Sequence, residues 1–315
     1  MPHVVKPPRL QAGQTIGLVS PSGPVQRSGT APETVETARA RLAEHGFRTV
    51  VANHAFHARG YLAGMDADRA ADLLAMFRDP EVHAVLCIRG GYGAMRLLEG
   101  LDYDLIGRHP KVFIGYSDVT ALHLAFQRRT GLVTFHGPMT SALAQADPHD
   151  LTHLLRAVTR PEAYGPLANP PGGPAIETVV PGVAEGVLVG GNLALVTALL
   201  GTPYQPAFEG AVVFLEDIVD HAYRLDRKLQ QLRLAGALNE AAGIVIGESR
   251  MRTEPSEPAL TVREILEDLI VPLGKPAIYG LACGHGTHHL TLPLGVRARL
   301  DATHGVLSIE EAAVV

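Results

Sequence analysis

The chain has 315 residues, 46% of them hydrophobic and 19% charged, with a formal net charge of −5. That length suits about two domains of ~150 residues, and an acidic chain without a run of Lys and Arg argues against a sequence-independent grip on nucleic acid, leaving small substrates or protein partners. Its two cysteines, Cys87 and Cys283, cannot form the disulfide framework of a small secreted domain and fit a reducing compartment.

The first residues, "MPHVVKPPRLQAGQTIGLVS", carry scattered prolines in place of a basic segment and an apolar run, so no signal peptide is expected and the cytoplasm is the default location. "TIGLVS" reads as a strand, "PETVETARARLAEHG" as a helix with Pro32 near its start and Gly46 as its stop, and "FRTVVA" as a second strand. A helix capped by Asp66 follows in "DADRAADLLAMFRDP", ending before Pro80, and "VHAVLCI" and "KVFIG" are further strands. Strands alternating with helices imply a parallel sheet. Tyr164 to Gly182 is rich in proline and glycine without helical period, which divides the chain into an N-terminal domain at 1–163, a linker at 164–182 and a C-terminal domain at 183–315. The longest apolar region, Val183 to Leu200, is interrupted by Glu185, several glycines and Asn192 and falls short of the ~20 residues of a membrane span. Beyond it "AVVFLE", "AGIVIGE" and "PAIYGLACG" read as buried strands, "HAYRLDRKLQQLRLAG" as a helix stopped by Gly236, and "VRARLDATHGVLSIEE" as a terminal hairpin. This half mixes α and β.

Ser117 follows "KVFIG" and precedes a segment of helical spacing, a position at the carboxyl edge of a parallel sheet where open α/β folds bind ligands. It reads either as a nucleophile or as an N-cap. Gly115-Tyr116-Ser117-Asp118-Val119 lacks the last glycine of the Gly-x-Ser-x-Gly elbow, so an ordinary α/β-hydrolase is not supported. A serine nucleophile needs a base, and the base a carboxylate to orient it. Among fifteen histidines, His285, flanked by Gly284 and Gly286 after an apolar run, and His136, after "LVTF", are the candidates. Glu216 ends "AVVFLE" and is a candidate acid; Asp217 and Asp220 are alternatives for that role or caps for the helix near His221. Arg89-Gly90-Gly91-Tyr92-Gly93 opens from a buried strand and can present backbone N–H groups as an oxyanion hole or a phosphate cradle, although it is neither Gly-x-Gly-x-x-Gly nor a P-loop. "VGGNLALVTALLG" reads as a second glycine turn with Asn192 capping a helix. Cys283, His285, His288 and His289 crowd into "CGHGTHH", but the spacing matches neither His-Glu-x-x-His nor a paired Cys-x-x-Cys, and no metal is expected.

Taken together, "IRGGYGAMRLL", "FIGYSDVTAL", "TFHGPM", "GVLVGGNLALVTALLGTP", "FLEDI", and "GHG" followed by "TLPLG" resemble the LD-carboxypeptidases, the serine peptidase family of muramoyltetrapeptide carboxypeptidases, from Gln14 to about Asp301. The resemblance implies an N-terminal Rossmann-like, class I glutamine-amidotransferase-like parallel-sheet domain with a smaller C-terminal β-rich α/β domain, commonly as a homodimer. It implies Ser117 as nucleophile, Glu216 as acid, His285 as base, and the backbone amides of Gly91 and Asp118 as the oxyanion hole. Family members remove the terminal D-alanine from the cytoplasmic murein tetrapeptide by cutting an L,D peptide bond, with no metal or organic cofactor. A related branch, the microcin C immunity proteins, cleaves acyl-adenylate-like toxins. From another class, a non-catalytic small-ligand-binding protein using the glycine turns is the alternative. A carboxypeptidase must hold a terminal carboxylate, and Arg89, beside the proposed oxyanion turn, is the candidate receptor, with a structural ion pair as its other reading.

Overall fold

The computed structural model describes residues 3–25, 32–145, 147–219, 221–251 and 259–315. Its strands in chain order are β1 (Thr15–Val19), β2 (Arg48–Val51), β3 (Val82–Cys87), β4 (Val112–Gly115), β5 (Thr134–His136), β6 (Ala163–Leu167), β7 (Glu177–Val180), β8 (Val183–Asn192), β9 (Val212–Glu216), β10 (Ile218–Val219), β11 (Gly243–Gly247), β12 (Arg250–Met251), β13 (Ala277–Leu281), β14 (Leu292–Leu294), β15 (Arg297–Asp301) and β16 (Val306–Ala312). They fall into two compact units, the first made of 1–162 with 291–293 and 313–315, the second of 163–290 and 294–312.

The first unit is built on a six-stranded sheet of order β14-β5-β4-β3-β1-β2, in which β1 to β5 pair in parallel. All four residues of β4, and all but one of β3, are buried, which is why these strands read as unbroken apolar runs instead of alternating ones. The helix Pro32–Glu44 lays Val35, Ala38 and Leu42 inward at helical spacing, and Phe77, Phe113 and Phe126 meet edge-on or tilted at 5.0 to 6.2 Å between ring centres. The strand order changes direction between β1 and β3, the topological switch point at which open α/β sheets place ligands beyond the carboxyl ends. The loops leaving those two strands are joined there by the Gly23 N–H donating to the Gly90 carbonyl at 3.1 Å. The helix Asp66–Arg78 departs from its expected cap: Met65 occupies the cap position, and Asp66 sits in the first turn, where its carboxylate pairs with Arg69 at 2.5 Å and Arg96 at 2.7 Å.

The second unit carries an eight-stranded sheet of order β6-β16-β15-β8-β9-β11-β13-β7. Its centre, β8, β9, β11 and β13, is parallel, and antiparallel strands flank it on both sides. The expected terminal hairpin is β15 against β16. The proline- and glycine-rich segment 164–182 is not a bare linker, since β6 and β7 form the two edges of this sheet, the positions where proline is tolerated. Between them Asn169 donates to the Pro174 and Gly280 carbonyls and accepts the Ala282 N–H, each at 2.7 Å, so one side chain satisfies backbone that no strand covers. The glycines of "VGGN" lie within β8 and are not a turn: a Cβ on Gly190 would overlap the Phe214 carbonyl of β9, so the strands meet there only without a side chain. No helix among the described residues is long and apolar enough to cross a membrane.

Candidate active site

Ser117 stands just past the end of β4, in the first unit, at the start of a short 3-10 turn leading into the helix Thr120–Thr130. Its φ of +63° is the only positive value among the described non-glycine residues. That conformation costs on the order of 1–3 kcal/mol and must be imposed by the surroundings. Tyr116 and Val119 occupy the cap positions of the turn and the helix without side-chain cap bonds, so the serine hydroxyl is not an N-cap. Gly115 makes the bend possible, because a Cβ there would approach Val119 Cγ1 to 2.7 Å. Clearance on that side lets the turn form with valine where the hydrolase elbow has its second glycine.

The Arg89 to Gly93 turn packs directly on this bend: a Cβ on Gly90 would lie 3.0 Å from Ser117 Cβ, 3.2 Å from Ser117 Oγ and 3.5 Å from the Asp118 amide. Gly91 and Gly93, with φ of +118° and +133°, hold backbone conformations that side chains rarely adopt. The Asp118 side chain ties the two turns together by accepting the Ala94 N–H at 2.8 Å. Burial pushes its carboxyl above the ordinary range, opposed by that N–H and by the Arg69 charge. Arg69, itself buried, donates to the carbonyls of Pro21 and Gly93 and so joins the loop after β1 to the same turn. Sequence reading found neither clamp; the signal available was an arginine on the inward face of its helix. Arg89 is half-buried and donates to the Pro24 carbonyl at 3.0 Å. Cys87, at the end of β3, has its thiol pushed well upward by burial, which keeps it protonated and a poor nucleophile.

In the second unit Glu216 ends β9 fully buried and pairs with His285, Nδ1 to Oε2, at 2.7 Å. A carboxylate only accepts, so Nδ1 carries a proton, and in the neutral ring the lone pair is on Nε2. Gly284 permits the pair, since a Cβ there would overlap the Glu216 carboxylate, and its φ of +102° suits glycine. Glu216 faces Asn192 across the parallel β8–β9 register, and the Asn192 amide donates to Glu216 Oε1 and to Asp217 Oδ1, both at 3.3 Å, while its oxygen caps the helix Leu193–Ala198 through the Ala194 N–H. Asn192 is therefore more than the cap expected of it. Asp217 is committed to Lys228 at 2.5 Å and to Asn192, and it neither caps the next helix nor pairs with His285; His221 occupies that cap position. Asp220 lies outside the described residues. His136, the other candidate base, is fully buried in β5 among the rings of Tyr116 and His123, 6.1 and 6.4 Å away between centres. Cys283 donates its thiol proton to the Leu290 carbonyl at 3.3 Å, and neither cysteine is in a disulfide.

Residues 16–137 match the LD-carboxypeptidase N-terminal domain and residues 185–300 the LD-carboxypeptidase C-terminal domain. The chain belongs to the LD-carboxypeptidase family. It is thus a peptidase-type hydrolase of the two-domain α/β class. It is 40% identical to the probable murein peptide carboxypeptidase of Bacillus subtilis strain 168, over 97% of this chain and 94% of the other. Two solved structures share the fold: the MccF-like protein of Bacillus anthracis str. Ames, 28% identical with a TM-score of 0.89 over 98% of this chain and 100% of that one, and the muramoyltetrapeptide carboxypeptidase of Oxalobacter formigenes, 29% identical with a TM-score of 0.82 over 95% and 99%.

Proposed function

We propose that this LD-carboxypeptidase removes the terminal D-alanine from murein tetrapeptide by hydrolysing an L,D peptide bond, with Ser117 as nucleophile, His285 as base and Glu216 as the acid that orients it. The observation that carries this reading is the 2.7 Å bond from His285 to a fully buried Glu216, which fixes the tautomer with its lone pair on Nε2. In the proposed reaction that nitrogen takes the Ser117 proton as Oγ attacks the carbonyl preceding the D-residue. Glu216 stabilises the resulting imidazolium, which returns its proton to the leaving amine; water then releases the acyl-enzyme by the reverse transfers. The amides of Gly91 and Asp118 stabilise the tetrahedral oxyanion, each such donor being worth about 2.7–4 kcal/mol.

In this reading the Arg89 guanidinium receives the free terminal carboxylate, a role supported by its place before the glycine turn. Release of D-alanine from the tetrapeptide by wild type, and its loss in Ser117→Ala, is the test. The likeness to an MccF-like protein favours one second reading, hydrolysis of peptidyl or aminoacyl adenylate analogues. Turnover of such an analogue in preference to the tetrapeptide would support that reading and overturn the first.

A further inference from the structure

A cavity of about 220 Å³ opens in the first unit at the amino-terminal edge of its parallel sheet, the edge opposite Ser117. Arg9, Gln14, His83, His109 and Lys111 line it together with three prolines and a valine, and no carboxylate is among the lining residues. In a chain with a net charge of −5, a lining with two basic side chains, two imidazoles and no acid is not the average surface.

Several donors around the cavity are not used up by the protein's own hydrogen bonds among the described residues. Lys111 is buried, and its ammonium donates to the carbonyls of Met76 and Asp79 at the end of the helix Asp66–Arg78, two acceptors for three protons. Those bonds also neutralise the negative end of that helix, which would otherwise repel an anion. His83 accepts the Thr15 N–H at Nδ1, at 3.5 Å, which leaves the proton on Nε2. Gln14 uses its oxygen on the Gln11 N–H at 2.8 Å, which leaves its amide protons. Burial also pulls the Lys111 pKa down to about 8 against the attraction of the nearby Asp79 charge, so an anion beside the ammonium would offset its desolvation. The prolines add rigid walls without N–H groups.

We propose that this cavity is a binding site for a phosphate-type oxyanion, either inorganic phosphate or a small phosphomonoester, held by Arg9, Lys111 and the two imidazoles. Donors of different shape, a planar fork, a point charge and ring N–H groups, suit a tetrahedral acceptor better than a planar carboxylate. Lys111 immediately precedes β4 and Ser117 follows shortly after it, so about 20 Å of extended chain separates the two sites and a ligand here does not enter the proposed catalytic centre.

Titration calorimetry of the 315-residue chain with inorganic phosphate and with glycerol phosphate, against chloride at matched ionic strength, tests this. Saturable phosphate binding is expected, weakened at least tenfold in the double variant Arg9→Ala, His109→Ala, whose side chains are exposed and outside the proposed machinery, while D-alanine release is unchanged. Lys111→Met should abolish binding, with circular dichroism reporting whether the helix it caps survives. Tighter binding of the ester would identify an esterified ligand, and tighter binding of the inorganic ion a free one. Heat no greater than that of chloride, or equal phosphate affinity in the double variant, would overturn the proposal.

Discussion

Ser117 is held by shape and His285 by polar contacts. Around the serine the fixed quantities are a φ of +63°, the missing side chains of Gly90 and Gly115, and a bend that backbone and aliphatic packing force into place. Around the histidine they are a buried carboxylate, a 2.7 Å bond to it, and an asparagine on the neighbouring strand holding the carboxylate's second oxygen. The contrast suits the proposed roles: a nucleophile must present its oxygen without committing it, for which backbone strain serves better than a hydrogen bond, and a base must keep one tautomer, which needs a fixed charge.

The contrast breaks most visibly in Ser117→Ala, which keeps the strained bend and deletes only the oxygen. About a 10⁶-fold fall in kcat is expected, with an unchanged circular dichroism spectrum and melting temperature; residual turnover near the wild-type rate would remove Ser117 from the mechanism. Glu216→Gln preserves volume but exchanges the charge for an amide that can stabilise the wrong tautomer, and should lower kcat by about 10⁴-fold. Gly90→Ala probes shape alone: displacing Ser117 by a few tenths of an ångström should cost up to about 100-fold in kcat, while a substitution tolerated at full activity would show that Ser117 is not positioned by this packing. Asn192→Ala removes a cap and one support of Glu216, with about 1 kcal/mol lost in urea denaturation and a smaller effect on kcat than either carboxylate or serine change.

The smallest effect concerns acid. Burial lowers the pKa of His123 to about 4 and, aided by the His149 and Arg156 charges, that of His153 to about 3, both below the ordinary 6.5. Between pH 6.5 and those values the unfolded chain binds protons that the native first unit refuses, so the stability is complete above pH 6.5 and falls as pH drops. The slope reaches about 1.4 kcal/mol per pH unit for each histidine. In His123→Gln the difference between urea midpoints at pH 7 and pH 5 should shrink; an unchanged difference would show that His123 titrates normally.

Much of this was legible in the residues. The apolar runs of β3 and β4, the strand-helix alternation and the strand-end positions of Ser117 and Glu216 follow from local pattern, whereas His285 lies in the loop beyond β13. What was not legible depends on distant partners. Asn192 looks like a cap until β9 is laid beside β8, and Asp66 looks like one until Arg69 and Arg96 turn toward it. The Pro/Gly segment conceals two edge strands because edge pairing leaves little periodicity, and the Gly190 requirement comes from a carbonyl on another strand.

The strand β14 has a consequence for how the protein is made. It completes the first sheet beside β5 yet is encoded roughly 150 residues later, beyond nearly all of the second unit. On a ribosome working at about 5–20 residues per second, β5 waits about eight to thirty seconds with one row of backbone donors and acceptors uncovered, a template for pairing with another nascent chain. Expression of 1–162 alone would make that wait permanent, and supplying the missing strand in trans, as a peptide spanning β14, should raise the soluble yield of the fragment.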